Sequence, residues 1–376
     1  MIFRKIPLSL FIVAVLITIY QILVVIYDPH GSRMSSIPGR VSPSFDERYI
    51  KLFHYEEVKP DILILGNSVS AFAYHNDQFE NYENKFYNLS MSGASIKENY
   101  LYFKKALKVH TPKRIIWHIM PRSLYGPQKV VNPDIFESSL GYEYMPSLSK
   151  YWYVFRKSLS FSGWKSLKSK IKSNNISIPY KGRGHMFDEY GSRDKNYNFY
   201  SVKKRGYQYM FDRAVKKNLA HYENNHLNYI ENMKLVSAVF SLCEINECDI
   251  DVVFHPTHKS IYSARGVKKM SSELNSQLTD LLMVSEKYDN VDLYDFSLPL
   301  GPNLEDISDD PEHIMKWWWE AIHITHNYGA QIVNTIKQNH TNCSLGYKVT
   351  MENIQSCNEQ RLIMFGLDFP DFARHF

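Results

Sequence analysis

The sequence predicts an α/β protein: three layers, α/β/α, around a mostly parallel, doubly wound sheet. Two observations carry this. Short apolar runs that end at a breaker alternate with longer stretches of helical periodicity. The chain has 376 residues, enough for one large α/β domain with insertions. Two features interrupt that pattern, an uncharged N-terminal segment and a polar, basic insertion.

The N-terminal segment comes first. Ile6 to Tyr27 carries no charged residue, and a helix of that length rises about 33 Å, enough to cross a bilayer core. Arg4 and Lys5 precede it, so the positive-inside rule expects a cytoplasmic N-terminus and a body on the far side of the membrane. No small-residue cleavage pattern follows; Asp28-Pro29-His30-Gly31 reads as a helix stop, and the segment as a retained single-pass anchor. Residues 1–30 form the cytoplasmic N-terminus and anchor in this reading, and 31–376 the domain beyond it. Outside the cytoplasm disulfides are permitted, and two local bridges, Cys243 with Cys248 and Cys343 with Cys357, are the natural pairing of three connectivities.

The body then alternates. Asp61–Leu65 is an apolar run ending at Gly66, as in a buried parallel strand. Phe86–Leu89, Arg114–Ile119, Ile250–Phe254 and Val291–Tyr294 are four further strands. Helical periodicity covers Ile96–Val109, Glu231–Cys243, Met270–Tyr288 and Tyr328–Lys337. From about 124 to 227 the rhythm breaks into a polar, aromatic insertion. Between Met145 and Phe187 it holds Lys150, Arg156, Lys157, Lys165, Lys168, Lys170, Lys172, Lys181 and Arg183 and no Asp or Glu. Trp164, Leu167 and Ile171 share one helical face there, which suits anionic lipid or an acidic polymer. Residues from about 340 to 376 read as a C-terminal tail.

Composition excludes other classes. Gly and Pro number 16 each, too few for a collagen-like or linker-dominated chain, and 4 cysteines exclude a disulfide-dense scaffold. A net charge of +5 is too mild to demand nucleic acid, and no nucleic-acid partner or cofactor is expected.

Chemistry is expected outside the carboxyl ends of the strands. Gly66-Asn67-Ser68-Val69-Ser70 follows the first strand, where a turn would expose a serine hydroxyl. Asn88-Leu89-Ser90-Met91-Ser92-Gly93 follows the second, small enough for backbone N–H groups to approach a substrate oxygen. Glu320-Ala321-Ile322-His323 precedes the last predicted helix and spaces an acid to hold a histidine ring. Two His-x-x-His pairs, His255 with His258 and His323 with His326, offer a competing reading as four zinc ligands; no metal is expected in the preferred one.

Together, GNSVS after DILIL, NLSMSG and the late E-x-x-H resemble the blocks of the SGNH/GDSL hydrolase superfamily. More narrowly they resemble its membrane-anchored members associated with bacterial surface-polysaccharide O-acylation and assembly, which also share Phe254-His255-Pro256, Leu293-Tyr294-Asp295-Phe296-Ser297 and Trp319 through Gly329. The resemblance covers about residues 58–130 and 230–340. It implies a flavodoxin-like sheet, Ser68 as nucleophile, His323 as general base and Glu320 as orienting acid. It places the oxyanion hole at the N–H groups of Ser68 and Gly93. The superfamily usually adds an Asn donor after the third strand, where this chain has Trp117-His118-Ile119-Met120-Pro121-Arg122; Asn67 or Arg122 would have to replace it. The function so implied is a serine esterase or O-acyltransferase acting on a surface polysaccharide or glycan, beside a membrane-bound acyltransferase. The alternative is a non-catalytic accessory protein of polysaccharide assembly that keeps the fold.

Overall fold

The computed structural model describes residues 8–27, 47–79, 85–131, 164, 168, 190–193, 197–222 and 226–368. The chain divides into two units, 1–57 with 137–189, and 58–136 with 190–376. The first unit holds α1 (Leu8–Tyr27) and α2 (Glu47–Val58), whose last residue begins the second. The apolar side chains Leu10, Phe11, Leu16 and Ile26 of α1 are exposed. Among the described residues no helix is long and apolar enough to cross a membrane. The anchor expected at Ile6–Tyr27 therefore rests on the sequence. So does the basic surface of the insertion: of the nine basic residues between Met145 and Phe187 only Lys168 is described, exposed like Trp164, and the others lie outside the described residues.

The second unit is built on a six-stranded sheet of order β2-β1-β3-β4-β5-β6. The five strands expected from apolar runs are β1 (Ile62–Leu65), β2 (Phe86–Asn88), β3 (Arg114–Ile119), β4 (Asp249–Phe254) and β5 (Val291–Asp295), all parallel. Every residue of β1 and β2 is buried, which is why β1 is apolar without alternation, while β2 ends on the buried, hydrogen-bonded Asn88. The sixth, β6 (Tyr347–Lys348), runs antiparallel beside β5 and was not expected. At two residues it is too short to leave a periodic signal.

The helices fall into two groups. α4 (Ile96–Leu107) packs on α8 (His226–Ile245), and α8 on α10 (Val267–Ser285); α3 (Ser68–Ala73) packs on α11 (His326–Gln338). Gly329 of α11 faces the end of α3 so closely that a Cβ there would lie 1.9 Å from the carbonyl oxygen of Ala73. Strand order turns back between β1 and β3, the place where an open parallel sheet leaves a crevice for a ligand.

The insertion is more regular than its sequence suggests. It follows α5 (Pro121–Leu124) and contains α6 (Tyr197–Arg205) and α7 (Tyr207–Tyr222), and Tyr190 accepts a backbone hydrogen bond from Asn88 N at 2.7 Å. α7 packs on α9 (Lys259–Arg265). The region read as a C-terminal tail is also built in. It supplies β6 and α12 (Ile354–Asp368), and the fully buried Arg361 donates to Asp295 at the end of β5 over 2.5 Å. Both local disulfides are formed, Cys243–Cys248 and Cys343–Cys357.

Candidate active site

β1 ends at Leu65, Gly66 turns with φ at +151°, and α3 starts at once. Asn67 is the N-cap of α3: its Oδ1 accepts from Val69 N at 3.0 Å. Ser68 is thereby the first helical residue, with its hydroxyl at the sheet's carboxyl edge. Asn88, at the end of β2, holds the helix from below. Its Nδ2 donates to the carbonyls of Ser70 and Tyr74 at 2.9 and 3.1 Å, and its Oδ1 accepts from Ser90 N. The sequence marked the block beginning at Asn88 but assigned this side chain no part.

His323 reaches Ser68 across 255 positions of chain. Its Nε2 lies 2.9 Å from Ser68 Oγ. Its Nδ1 is hydrogen-bonded to Glu320 Oε1, which also accepts from His323 N at 3.0 Å, while Oε2 accepts from Ile322 N at 3.2 Å. A carboxylate only accepts, so Nδ1 carries the proton and Nε2 faces Ser68 as acceptor. That is the tautomer a general base needs.

The sequence placed Glu320-x-x-His323 just before the last predicted helix, and the structure puts it in a tight turn before that helix, α11; the further helix α12 was not expected. The turn is closed by an antiparallel bridge between Trp318 and Ile324 and by Trp319 N donating to His323 O at 2.8 Å. Glu305 secures its base, accepting from the backbone N–H groups of Lys316, Trp317 and Trp318 at 2.8, 3.0 and 3.1 Å. Burial pushes the Glu305 carboxyl up, against those three donors.

Gly93 sits in the loop after β2 in a left-handed conformation, φ +64°, with nothing within 4 Å of where a Cβ would stand. Met91 N donates to Gly66 O at 3.4 Å, so the loops of Ser68 and Gly93 lie side by side. Asn67 has its Oδ1 engaged in the helix cap. Arg122 lies on α5; burial depresses the pKa of nearby His255, and the Arg122 charge adds a smaller push in the same direction.

Arg193, from the insertion, is a part of the surroundings the sequence did not signal. It is buried, hydrogen-bonds to Ser92 Oγ, donates from its backbone to Ala71 O at 2.8 Å, and lies 5.2 Å over the Phe72 ring. Phe72 in turn meets the His323 ring edge-on at 5.6 Å.

The four imidazoles of the zinc reading do not share a centre. His323 is committed to Ser68 and Glu320. His255 bonds to His118 and the Ile322 carbonyl, and His258 to Ser260 and the Glu305 carbonyl. Among the described residues no group of three His, Cys, Asp or Glu could hold a metal. A cavity of about 930 Å³ lies elsewhere, between α7 and α9, lined by Tyr209, Arg213, Lys216, His258, Lys259 and Asp306 among others.

No protein-family model matches this chain, and no curated protein does. Among solved structures it is similar to that of a "putative acylhydrolase" from Bacteroides fragilis NCTC 9343, at 11% identity over 74% of this chain and 84% of that one, with a TM-score of 0.31. Likeness at that level leaves the site to be argued from its own geometry.

Proposed function

We propose that this chain is a serine esterase or O-acyltransferase that works on a surface glycan from the outer side of a membrane. One observation carries the reading: Ser68 Oγ, His323 and Glu320 form an unbroken hydrogen-bonded string at the carboxyl edge of β1, with the imidazole in the base tautomer.

The steps follow from that string. Ser68 Oγ attacks an ester carbonyl as His323 Nε2 takes its proton, and Glu320 stabilises the imidazolium through Nδ1. The tetrahedral oxyanion is met by the N–H groups of Ser68 and Gly93, with the Asn67 amide in reserve. Collapse expels the alcohol, which leaves with the proton from Nε2. Water or a sugar hydroxyl, deprotonated by the same nitrogen, then attacks the acyl-serine and releases Ser68.

Location is proposed from separate features. The uncharged Ile6–Tyr27 follows Arg4 and Lys5, α1 presents apolar side chains all round, and Thr18 folds its hydroxyl back onto Ala14 O at 2.9 Å. Both cysteine pairs are oxidised, as an extracytoplasmic body permits. The acidic or lipid partner of the 145–187 segment and a membrane-bound acyltransferase donor belong to this proposal. A second reading, a non-catalytic accessory protein, is favoured by the third strand, which carries buried His118 where the superfamily usually has an oxyanion Asn close by.

A membrane-impermeant fluorophosphonate applied to intact spheroplasts tests chemistry and orientation together. The expected result is labelling of the wild type, none of Ser68→Ala. Labelling only after lysis would overturn the orientation; no labelling in either state would leave the accessory reading.

A further inference from the structure

Behind the candidate triad runs a second string of hydrogen bonds that no step above uses. Tyr74 OH lies 3.0 Å from His118 Nδ1, His118 Nε2 lies 2.6 Å from His255 Nδ1, and His255 Nε2 lies 3.0 Å from the carbonyl oxygen of Ile322. Tyr74, His118 and His255 are all buried. The direction is set from one end. A carbonyl only accepts, so His255 Nε2 donates and its Nδ1 must accept; His118 Nε2 then donates, and its Nδ1 accepts from the tyrosine hydroxyl. Each ring is neutral with its proton on Nε2. Burial depresses both imidazoles, His118 to about 3, and raises Tyr74, so no member titrates near neutrality.

The ends of the string are informative. Tyr74 closes α3, the helix that starts at Ser68; its backbone N donates to Ser70 O at 3.2 Å. At the other end, the Ile322–His323 peptide is gripped on both sides. Its carbonyl accepts from His255 and its N–H donates to Glu320 Oε1. A peptide unit is planar, so fixing both polar atoms fixes the plane from which the His323 side chain departs. Ser68 and His323 are thus joined twice, by their own contact and by this buried brace through the ends of β3 and β4.

We propose that His118 and His255 are positioning residues that set the separation and orientation of Ser68 and His323 through the Ile322–His323 peptide. The proposal rests on the serine-hydrolase reading and adds to it a part for two histidines. It also gives the end of the third strand a structural task of its own.

The test uses the full-length chain in detergent micelles and the second-order rate of fluorophosphonate labelling per folded molecule. His255→Leu keeps the volume but removes the donor to Ile322 O. It is expected to slow labelling about 10–100-fold, the effect of displacing a reacting group by roughly an ångström. His255→Gln, whose amide can donate to Ile322 O and accept from His118, is expected to restore the rate to within a few-fold. A role in folding alone would lower the melting temperature and leave the rate per folded molecule unchanged; that result overturns the positioning role while leaving the triad intact. Absence of labelling in the wild type overturns the hydrolase reading, and the positioning role with it. Should His255→Leu fail to fold, ¹⁵N-histidine NMR of the wild type decides. The expected spectrum has two exchange-protected Nε2–H signals that do not titrate between pH 7 and 5. A proton on Nδ1 of either ring, or titration in that range, overturns the brace.

Discussion

Glu320 Oε1 accepts from both the backbone N–H and the ring Nδ1–H of His323, and Oε2 accepts from Ile322 N. One carboxylate therefore shapes the turn and selects the tautomer. Glutamine cannot satisfy all three donors. With its oxygen toward His323, its amide nitrogen confronts Ile322 N–H; flipped, it donates to Nδ1 and drives the ring proton to Nε2, facing Ser68. Glu320→Gln is expected to lower kcat by about 10²–10⁴ while the protein still melts cooperatively, short of the roughly 10⁶ lost with a nucleophile or base of a working triad. Esterase turnover with a short acyl ester, compared with Ser68→Ala and His323→Ala, measures this. Unchanged turnover in Glu320→Gln would remove Glu320 from the mechanism. Ser68, His323 and Glu320 were legible in the sequence as candidates because each sits in a short local block. The parts of His118 and Arg193 were not, and His255 was marked only as a zinc candidate and in the Phe254-His255-Pro256 match, because their partners lie on other elements.

At the scale of elements, α3 is short and depends on its neighbours to stay in place. Asn88 holds it from β2, Asn67 caps it, and α11 presses on its end through Gly329. Gly329 has no positive φ to justify it; the reason is space, since a methyl group there would sit 1.9 Å from the Ala73 carbonyl oxygen. Gly329→Ala is expected to destabilise by about 1–3 kcal/mol or more, because neither backbone can yield without moving its helix. The same shift would part Ser68 from His323. A melting-temperature drop together with loss of fluorophosphonate labelling checks both consequences, and a wild-type melt would show that α3 and α11 are not in contact. The sequence located α11 to within two residues at its start by its period, yet could not say what its glycine touches. Helical periodicity reports which face is buried, not the distance to the backbone opposite.

For the molecule as a whole, buried imidazoles set the response to acid. His118 and His258 are each depressed to about 3, and His255 well below its ordinary value, chiefly by burial. The unfolded chain binds a proton at each below about pH 6.5, and the folded chain does not. Stability from these groups is complete above that pH and is lost as pH falls toward 3. Asp251 and Glu305, both raised by burial, act in the opposite sense at the acid end of the window. Two to three protons should therefore be taken up on unfolding near pH 5.5, a slope of up to about 3–4 kcal/mol per pH unit. Urea melts at pH 7, 6 and 5 would show the midpoint falling; a midpoint independent of pH would mean that these rings are open to solvent.

Five parallel strands were readable in order from residue pattern alone, because a strand buried on both faces is dominated by apolar residues, with a few polar ones such as Asp251 and Asp295 buried only where an arginine pairs with them. Ser68, Gly93, Glu320 and His323 were readable as strand-end and turn residues for a similar reason: small and polar groups stand out beside such runs. Strand order, the two-residue β6, the incorporation of residues 340–368 and the buried brace from Tyr74 to Ile322 came only with the tertiary structure. Each depends on groups far apart in the chain, such as Asp295 with Arg361 or His118 with His255, which meet through the packing of whole elements. Local sequence carries the pattern of burial along one element, and long-range hydrogen bonds are decided by which elements become neighbours.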